Sequence, residues 1–151
     1  MFARLWMHEC SRVFADRLCT VADKEEFQKQ VSDLLSIKFK VKWGKPEECF
    51  GPGQDVLFSN ILRLDQENKY YESIEDRTKL DTTLEDKLID YNFSSPNKME
   101  LVFFEDATQH ILRILRILMQ PRGNAMLIGL SGSGKQSLTK FAASILEHES
   151  F

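Results

Sequence analysis

Between Gly129 and Leu138 the chain reads GLSGSGKQSL, and the clearest chemistry in its 151 residues lies in this run. From Gly129 to Lys135 it follows the phosphate-binding pattern G-x-x-x-x-G-K-[ST], and only the last place departs from it, with Gln136 where a hydroxyl is expected. Gly132 and Gly134 carry no side chain to keep backbone N–H groups away from an anion. A helix beginning near Lys135 would point its unsatisfied donors, and the positive end of its dipole, at the same place. Lys135 supplies a mobile positive charge for outer phosphates. Gln136 weakens the magnesium chemistry: its carbonyl is an oxygen ligand on a longer arm than serine or threonine offers, and Ser137 faces about 100° further round the helix. The substitution is therefore expected to spare binding more than catalysis.

Such a loop needs a strand in front of it and a helix behind it. NAMLIGL, before the loop, reads as a short apolar strand of the kind buried on both faces of a parallel sheet. Leu138, Phe141, Ala142, Ile145 and Leu146 behind it repeat at helical spacing. Further upstream, LVFFEDATQHILRILRILMQPRG places Phe104, Ala107, Ile111, Ile114, Leu115 and Leu118 on one helical face. Asp106, Gln109, Arg113 and Arg116 share another, and Pro121 and Gly123 stop the helix. Leu80, Leu84, Leu88 and Tyr91 predict an earlier helix broken near Asn92 by NFSSPN.

The N-terminal part reads as two helices. In the first, Trp6, Cys10, Val13, Phe14 and Leu18 form one stripe; in the second, Asp23 and Glu26 suggest a capping box, with Phe27, Val31, Leu34 and Leu35 buried. Between them and the later helices, WGKPEECFGPGQD has the glycine and proline of a connecting loop. VLFSNIL, from Val56 to Leu62, is compatible with a short strand or a helical turn. His8 and His110 have no partner at metal-ligand spacing and are expected to be structural or surface residues.

A composition of 42% hydrophobic and 28% charged residues belongs to a globular chain, and a net charge of −3 provides no broad basic field for nucleic acid. Cys10, Cys19 and Cys49 form neither a C-x-x-C pair nor a histidine-cysteine cluster, so reduced thiols are expected rather than disulfides or zinc. No apolar run approaches the roughly 20 residues needed to cross a bilayer. Hydrolysis at a phosphate-binding loop also needs a metal-coordinating acid at the end of another strand and a group that positions water. Neither is found between Lys135 and Phe151, and Glu105 and Asp106 belong to a helix, so a complete ATPase core is not expected.

Taken in order, RLWMHECSRVFADRL, VLFSNIL and LVFFEDATQHILRILRILMQPRGNAMLIGLSGSGKQSLTKFAA resemble dynein heavy chains, motors built on a ring of six AAA+ modules in one polypeptide. The Leu-Trp-x-His-Glu and Arg-Val-Phe-x-Asp-Arg-Leu blocks and the Pro-Arg-Gly-Asn run carry the resemblance, which covers essentially the whole chain. The blocks match the end of the third module and the start of the fourth, and the GSGKQSL form is similar to axonemal dyneins, whereas cytoplasmic ones tend to keep threonine. The resemblance implies a mostly α fold with an incomplete α/β element: residues 1–69 form the helical lid of one module plus a connector, and 70–151 the strand, loop and helix that open the next. It places Gly129, Ser131, Gly132, Ser133, Gly134, Lys135, Gln136 and Ser137 in the phosphate-binding loop, and Leu101 to Phe103, centred on Val102, near the adenine.

The implied role is ATP or ADP binding at a regulatory module, with Mg2+ in the full-length parent and no catalytic or metal-ligating residue in this chain. The implied partners are the remaining ring modules and, through the whole motor, intermediate and light chains and microtubules, with no nucleic acid or membrane. The implied setting is the cytoskeleton, in the cytoplasm and the ciliary axoneme. The rival reading is a non-enzymatic helical interaction module in which the glycine loop is only a turn.

Overall fold

The computed structural model describes residues 2–40, 50, 56–64 and 70–149. The chain divides into two units, Met1–Phe58 with Glu72–Ile74, and Ser59–Tyr71 with Glu75–Phe151. The loop expected over 43–55 lies outside the described residues except for Phe50.

In the first unit, helix α1 (Phe2–Cys10) runs into a π turn at Ser11–Ala15. There the N–H of Asp16 donates to the carbonyl of Ser11 at 3.1 Å, and Arg12 pairs with Asp16 at 3.2 Å. A π turn is wider than an α turn, so side chains after it no longer follow the 100° progression. This corrects the expected stripe: Val13 and Phe14 are exposed, Trp6, Cys10 and Leu18 are half-buried, and Met7 and His8 are the buried positions. Helix α2 (Val21–Lys38) is capped by Thr20 rather than Asp23. Thr20 Oγ1 accepts from the Asp23 N–H at 3.1 Å and donates to the Asp23 carboxylate at 2.6 Å.

Val31 and Leu35 of α2 form the core with Met7, and Ala3, Trp6, Phe27, Phe39, Phe50 and Val56 pack around them. Leu34, expected inside, is exposed. Trp6 meets Phe39 with ring centroids 5.0 Å apart. His8 is structural: its Nδ1 donates to the Val56 carbonyl at 2.8 Å and its ring lies 5.3 Å from Phe58. VLFSNIL resolves into both of its alternatives. Leu57–Ser59 is strand β1, paired with strand β2 (Glu72–Ile74), and Ile61–Arg63 is a 3-10 turn.

The second unit is helical. Helix α3 (Arg77–Ser94) is capped by Asp76, whose carboxylate accepts from the Lys79 N–H at 3.1 Å. It buries Leu80 and Leu84 fully, with Leu88 and Tyr91 half-buried, and runs to Ser94, two residues past the break expected near Asn92 and just short of Pro96. Helix α4 (Glu105–Leu118) has Glu105 and Asp106 in its first turn and Arg116 in its last, each on the side that the helix dipole favours. Its buried face is Ala107, Thr108, Ile111, Leu112, Ile114 and Leu115. Phe104 stands just outside the helix and is exposed. Helix α5 (Lys135–Ile145) packs mainly on α4, and α3 touches both α5 and the 3-10 turn.

Gly123 shows how tightly the chain leaves α4. A β-carbon there would lie 1.9 Å from the carbonyl oxygen of Ile117, so only glycine fits without a backbone shift. The strand expected at NAMLIGL does not form. A strand needs a hydrogen-bonding neighbour, and among the described residues the only ladder is β1 with β2. Met126, Ile128 and Leu130 are instead 84%, 84% and 85% exposed. The described fold is thus mostly α with a small two-stranded sheet.

A candidate phosphate-binding loop

The turn between Leu130 and Ser133 is closed by a hydrogen bond from the Ser133 N–H to the Leu130 carbonyl at 3.4 Å. Gly132 occupies its third place at φ +79°, and Gly134 follows at φ +76°, both in the left-handed region that favours glycine. Gly134 is also the N-cap of α5, with no side chain capping the helix. The first helical bond runs from the Leu138 N–H to the Gly134 carbonyl at 2.8 Å. The N–H groups of the preceding turn, from Lys135 to Ser137, have no intrahelical acceptor and present the positive end of the helix dipole to the loop.

Lys135 folds back across this loop. Its Nζ donates to the carbonyl of Gly129 at 2.8 Å, the carbonyl of Leu130 at 2.5 Å and the hydroxyl of Ser133 at 3.0 Å. An ammonium has three N–H donors, and all three are engaged. Lys135 thus closes a ring through Gly129, Leu130 and Ser133. Gly129 has little room: a β-carbon there would come within 3.2 Å of Ser133 Oγ and 3.7 Å of Lys135 Nζ. At Gly132, by contrast, a β-carbon would meet nothing within 4 Å, so the space beside the turn is open. A narrow base, an open flank, a cation and the free N–H groups of a helix start are features that phosphate-binding loops use.

The remaining sequence-predicted residues are placed differently. Ser131 is exposed on the turn, and Ser137 is half-buried one residue past Gln136. Gln136 is exposed and lines a groove of about 510 Å³ along α5 with Leu118, Lys135, Thr139, Lys140, Ala143, His148 and Glu149. Thr139 Oγ1 donates to the Lys135 carbonyl at 2.8 Å, a bond within α5 that the pattern does not signal. Val102 is 81% exposed and has no contact with the loop among those described. Its neighbour Phe103 carries the connection: its ring lies 5.6 Å from that of Phe141, which is fully buried on α5. A turn in which the Phe104 N–H donates to the Val102 carbonyl at 3.2 Å aims this segment. In the sequence Phe141 reads as a core position of its helix and Phe103 as part of the segment placed near the adenine, so only the fold reveals their pairing.

Among the described residues no group of three or more His, Cys, Asp or Glu side chains is placed to hold a metal ion, and no helix is long and apolar enough to cross a membrane. Burial raises the pKa of the Cys10 thiol, and the nearby Glu9 charge adds to the effect.

The motif, the left-handed glycines and the lysine ring describe a glycine-rich loop that enters a helix, without the strand expected in front of it. Residues 99–151 match the family model described as "P-loop containing dynein motor region D4". The chain is 42% identical over 149 residues to "Dynein axonemal heavy chain 2" of Homo sapiens, covering 98% of this chain and 3% of that protein. It is 38% identical to "Dynein axonemal heavy chain 6" of Homo sapiens, over 94% of this chain and 3% of that one. It is also 38% identical to "Dynein-1-beta heavy chain, flagellar inner arm I1 complex" of Chlamydomonas reinhardtii, over 98% of this chain and 3% of that protein. Over nearly its whole length the chain is thus similar to axonemal and flagellar dynein heavy chains, and it spans about 3% of the length of these relatives.

Proposed function

We propose that the chain contributes a nucleotide-binding element to a regulatory AAA+ module of an axonemal dynein heavy chain. The observation that carries the reading is the Gly129 to Lys135 cradle, with two glycines at positive φ and Lys135 gathered over the loop at the start of α5. Residues 1–69 then form the helical lid of one module plus a connector, and 70–151 the opening of the next. Gly129, Ser131, Gly132, Ser133, Gly134, Lys135, Gln136 and Ser137 form the phosphate site, and Val102 lies in the segment assigned to the adenine. ATP or ADP is the ligand, with Mg2+ in the full-length parent.

When bound, the nucleotide supplies an anionic polyphosphate that responds to the cradle. Backbone N–H groups of the loop and of the first turn of α5 orient it, and Lys135 balances its charge. Hydrolysis is assigned to none of these residues. The partners are the other ring modules and, through the whole motor, the intermediate and light chains and microtubules; the setting is the ciliary axoneme.

Equilibrium binding of a fluorescent ATP analogue, with and without magnesium, tests the reading. Saturable binding by the chain, lost in Lys135→Ala, is the expected result. Absence of binding at millimolar nucleotide, both in the chain and in a longer piece of the same heavy chain, would leave the loop as a turn on a helical interaction module. A steady-state ATPase rate that Lys135→Ala abolished would overturn the absence of a hydrolytic role.

A further inference from the structure

Of the four prolines in the chain, Pro46, Pro52, Pro96 and Pro121, only Pro96 follows a hydroxyl residue, and Lys98 stands three places beyond that serine. Ser95-Pro96-Asn97-Lys98 is the pattern read by proline-directed protein kinases. These enzymes take an extended serine before a proline and favour a basic residue at the third place after it. The chemistry of this pattern is distinct from anything in the glycine loop and does not depend on nucleotide binding there.

The fold presents this sequence on a clasped loop. Helix α3 ends at Ser94, and Ser95 turns to extended backbone at φ −97° and ψ 135°, the region that a following proline favours. Pro96, Asn97 and Lys98 are exposed. At the base of the loop the Asn92 side chain grips Met99 in both directions, donating to its carbonyl at 2.9 Å and accepting from its N–H at 2.7 Å. Within the loop, Ser95 Oγ donates to the Asn97 carbonyl at 3.2 Å and accepts from the Asn97 N–H at 3.3 Å. The adjacent Ser94 hydroxyl turns back onto the helix, toward the carbonyls of Asp90 at 3.0 Å and Tyr91 at 3.2 Å, and no proline follows it.

We propose that Ser95 is a phosphorylation site for a proline-directed protein kinase, and that the phosphate loosens the C-terminal end of α3. In the transfer, Ser95 Oγ attacks the γ-phosphorus of ATP held by the kinase. The bond to the β,γ-bridging oxygen breaks, ADP leaves, and the hydroxyl proton passes to the catalytic base of the kinase. The product carries roughly −1.5 to −2 charges near neutral pH. That charge sits at the carbonyl end of a helix whose last turn has no basic residue, where the dipole disfavours it. The esterified oxygen also loses its donor to Asn97.

The test treats the full chain with a purified proline-directed kinase and labelled ATP, alongside Ser95→Ala, Ser94→Ala and Pro96→Ala. Label in the wild type and in Ser94→Ala, absent from Ser95→Ala and sharply reduced in Pro96→Ala, is the expected pattern. Amide exchange at Ser95, whose N–H caps the Tyr91 carbonyl at 2.8 Å, should then quicken on phosphorylation. The expected factor is roughly twofold to fivefold. Label retained in Ser95→Ala overturns the site. A wild-type chain that stays unlabelled while a peptide covering 91–101 is phosphorylated shows that the folded loop withholds the serine, which also overturns it. Label without a change in exchange removes the effect on α3.

Discussion

Alanine at each loop glycine separates conformational strain from crowding. At Gly132 and Gly134 the backbone lies at φ +79° and +76°, and an added β-carbon meets nothing within 4 Å at the first and only Leu138 Cγ, at 4.0 Å, at the second. The penalty there is conformational, about 1–2 kcal/mol for an L residue in the left-handed region. A less flexible unfolded chain offsets roughly 0.4–1 kcal/mol of this. Each substitution should therefore lower stability by about 0.5–1 kcal/mol. Gly129 is not among the positive-φ glycines, and its β-carbon would press on one movable side-chain end, Ser133 Oγ at 3.2 Å, with Lys135 Nζ at an ordinary contact distance of 3.7 Å. Gly129→Ala should leave stability within about 0.5 kcal/mol while shifting the Ser133 hydroxyl to which Lys135 donates. Chemical denaturation of the three variants, paired with binding of a fluorescent ATP analogue, reads both quantities. Gly129→Ala should weaken binding with little loss of stability, whereas Gly132→Ala and Gly134→Ala should lose stability by similar amounts. A Gly129→Ala chain less stable than the other two would refute the assignment of strain to the left-handed positions.

Two further outcomes concern residues outside the loop. Gly123→Ala brings a β-carbon to 1.9 Å from a backbone oxygen that cannot swing aside, so it should destabilise the second unit by about 1–3 kcal/mol in denaturation, more than Gly132→Ala does. The Cys10 thiol has its pKa raised by burial and by Glu9, so its alkylation in the folded chain should begin at higher pH than in the urea-unfolded chain. Because the folded state holds this proton more tightly, the thiol's contribution to stability is complete below its unfolded pKa and is lost as pH rises through the interval up to the folded value. Mass spectrometry of the Cys10 peptide across pH checks the alkylation, and denaturation midpoints in a Cys10→Ser background check the stability.

Local rules carried the sequence furthest where one residue decides the backbone. The exit from α4 at Gly123 is of this kind, and the break of α3 expected near Asn92 falls two residues later, at Ser94. The same rules were ambiguous at the start of α2, where Thr20 and Asp23 are both good caps and the structure uses Thr20. They failed at Val13 and Phe14, because a wide turn breaks helical periodicity without leaving a mark in composition. They failed again at NAMLIGL, because a strand is a property of two segments and periodicity describes one. The Phe103 and Phe141 contact was illegible for a related reason: residues so far apart in sequence meet only after α4 and α5 have packed.

The ring that Lys135 closes has a thermodynamic consequence for any anion that draws the ammonium toward itself. Such a ligand must first separate Nζ from two carbonyls and a hydroxyl, so its affinity measures a difference between two solvation shells, one supplied by the chain and one by the ligand. Added salt weakens the attraction of the ammonium for the ligand more than its attraction for neutral carbonyl dipoles. High ionic strength therefore shifts that exchange toward the self-solvated lysine, and the loop keeps its shape while its hold on the anion declines.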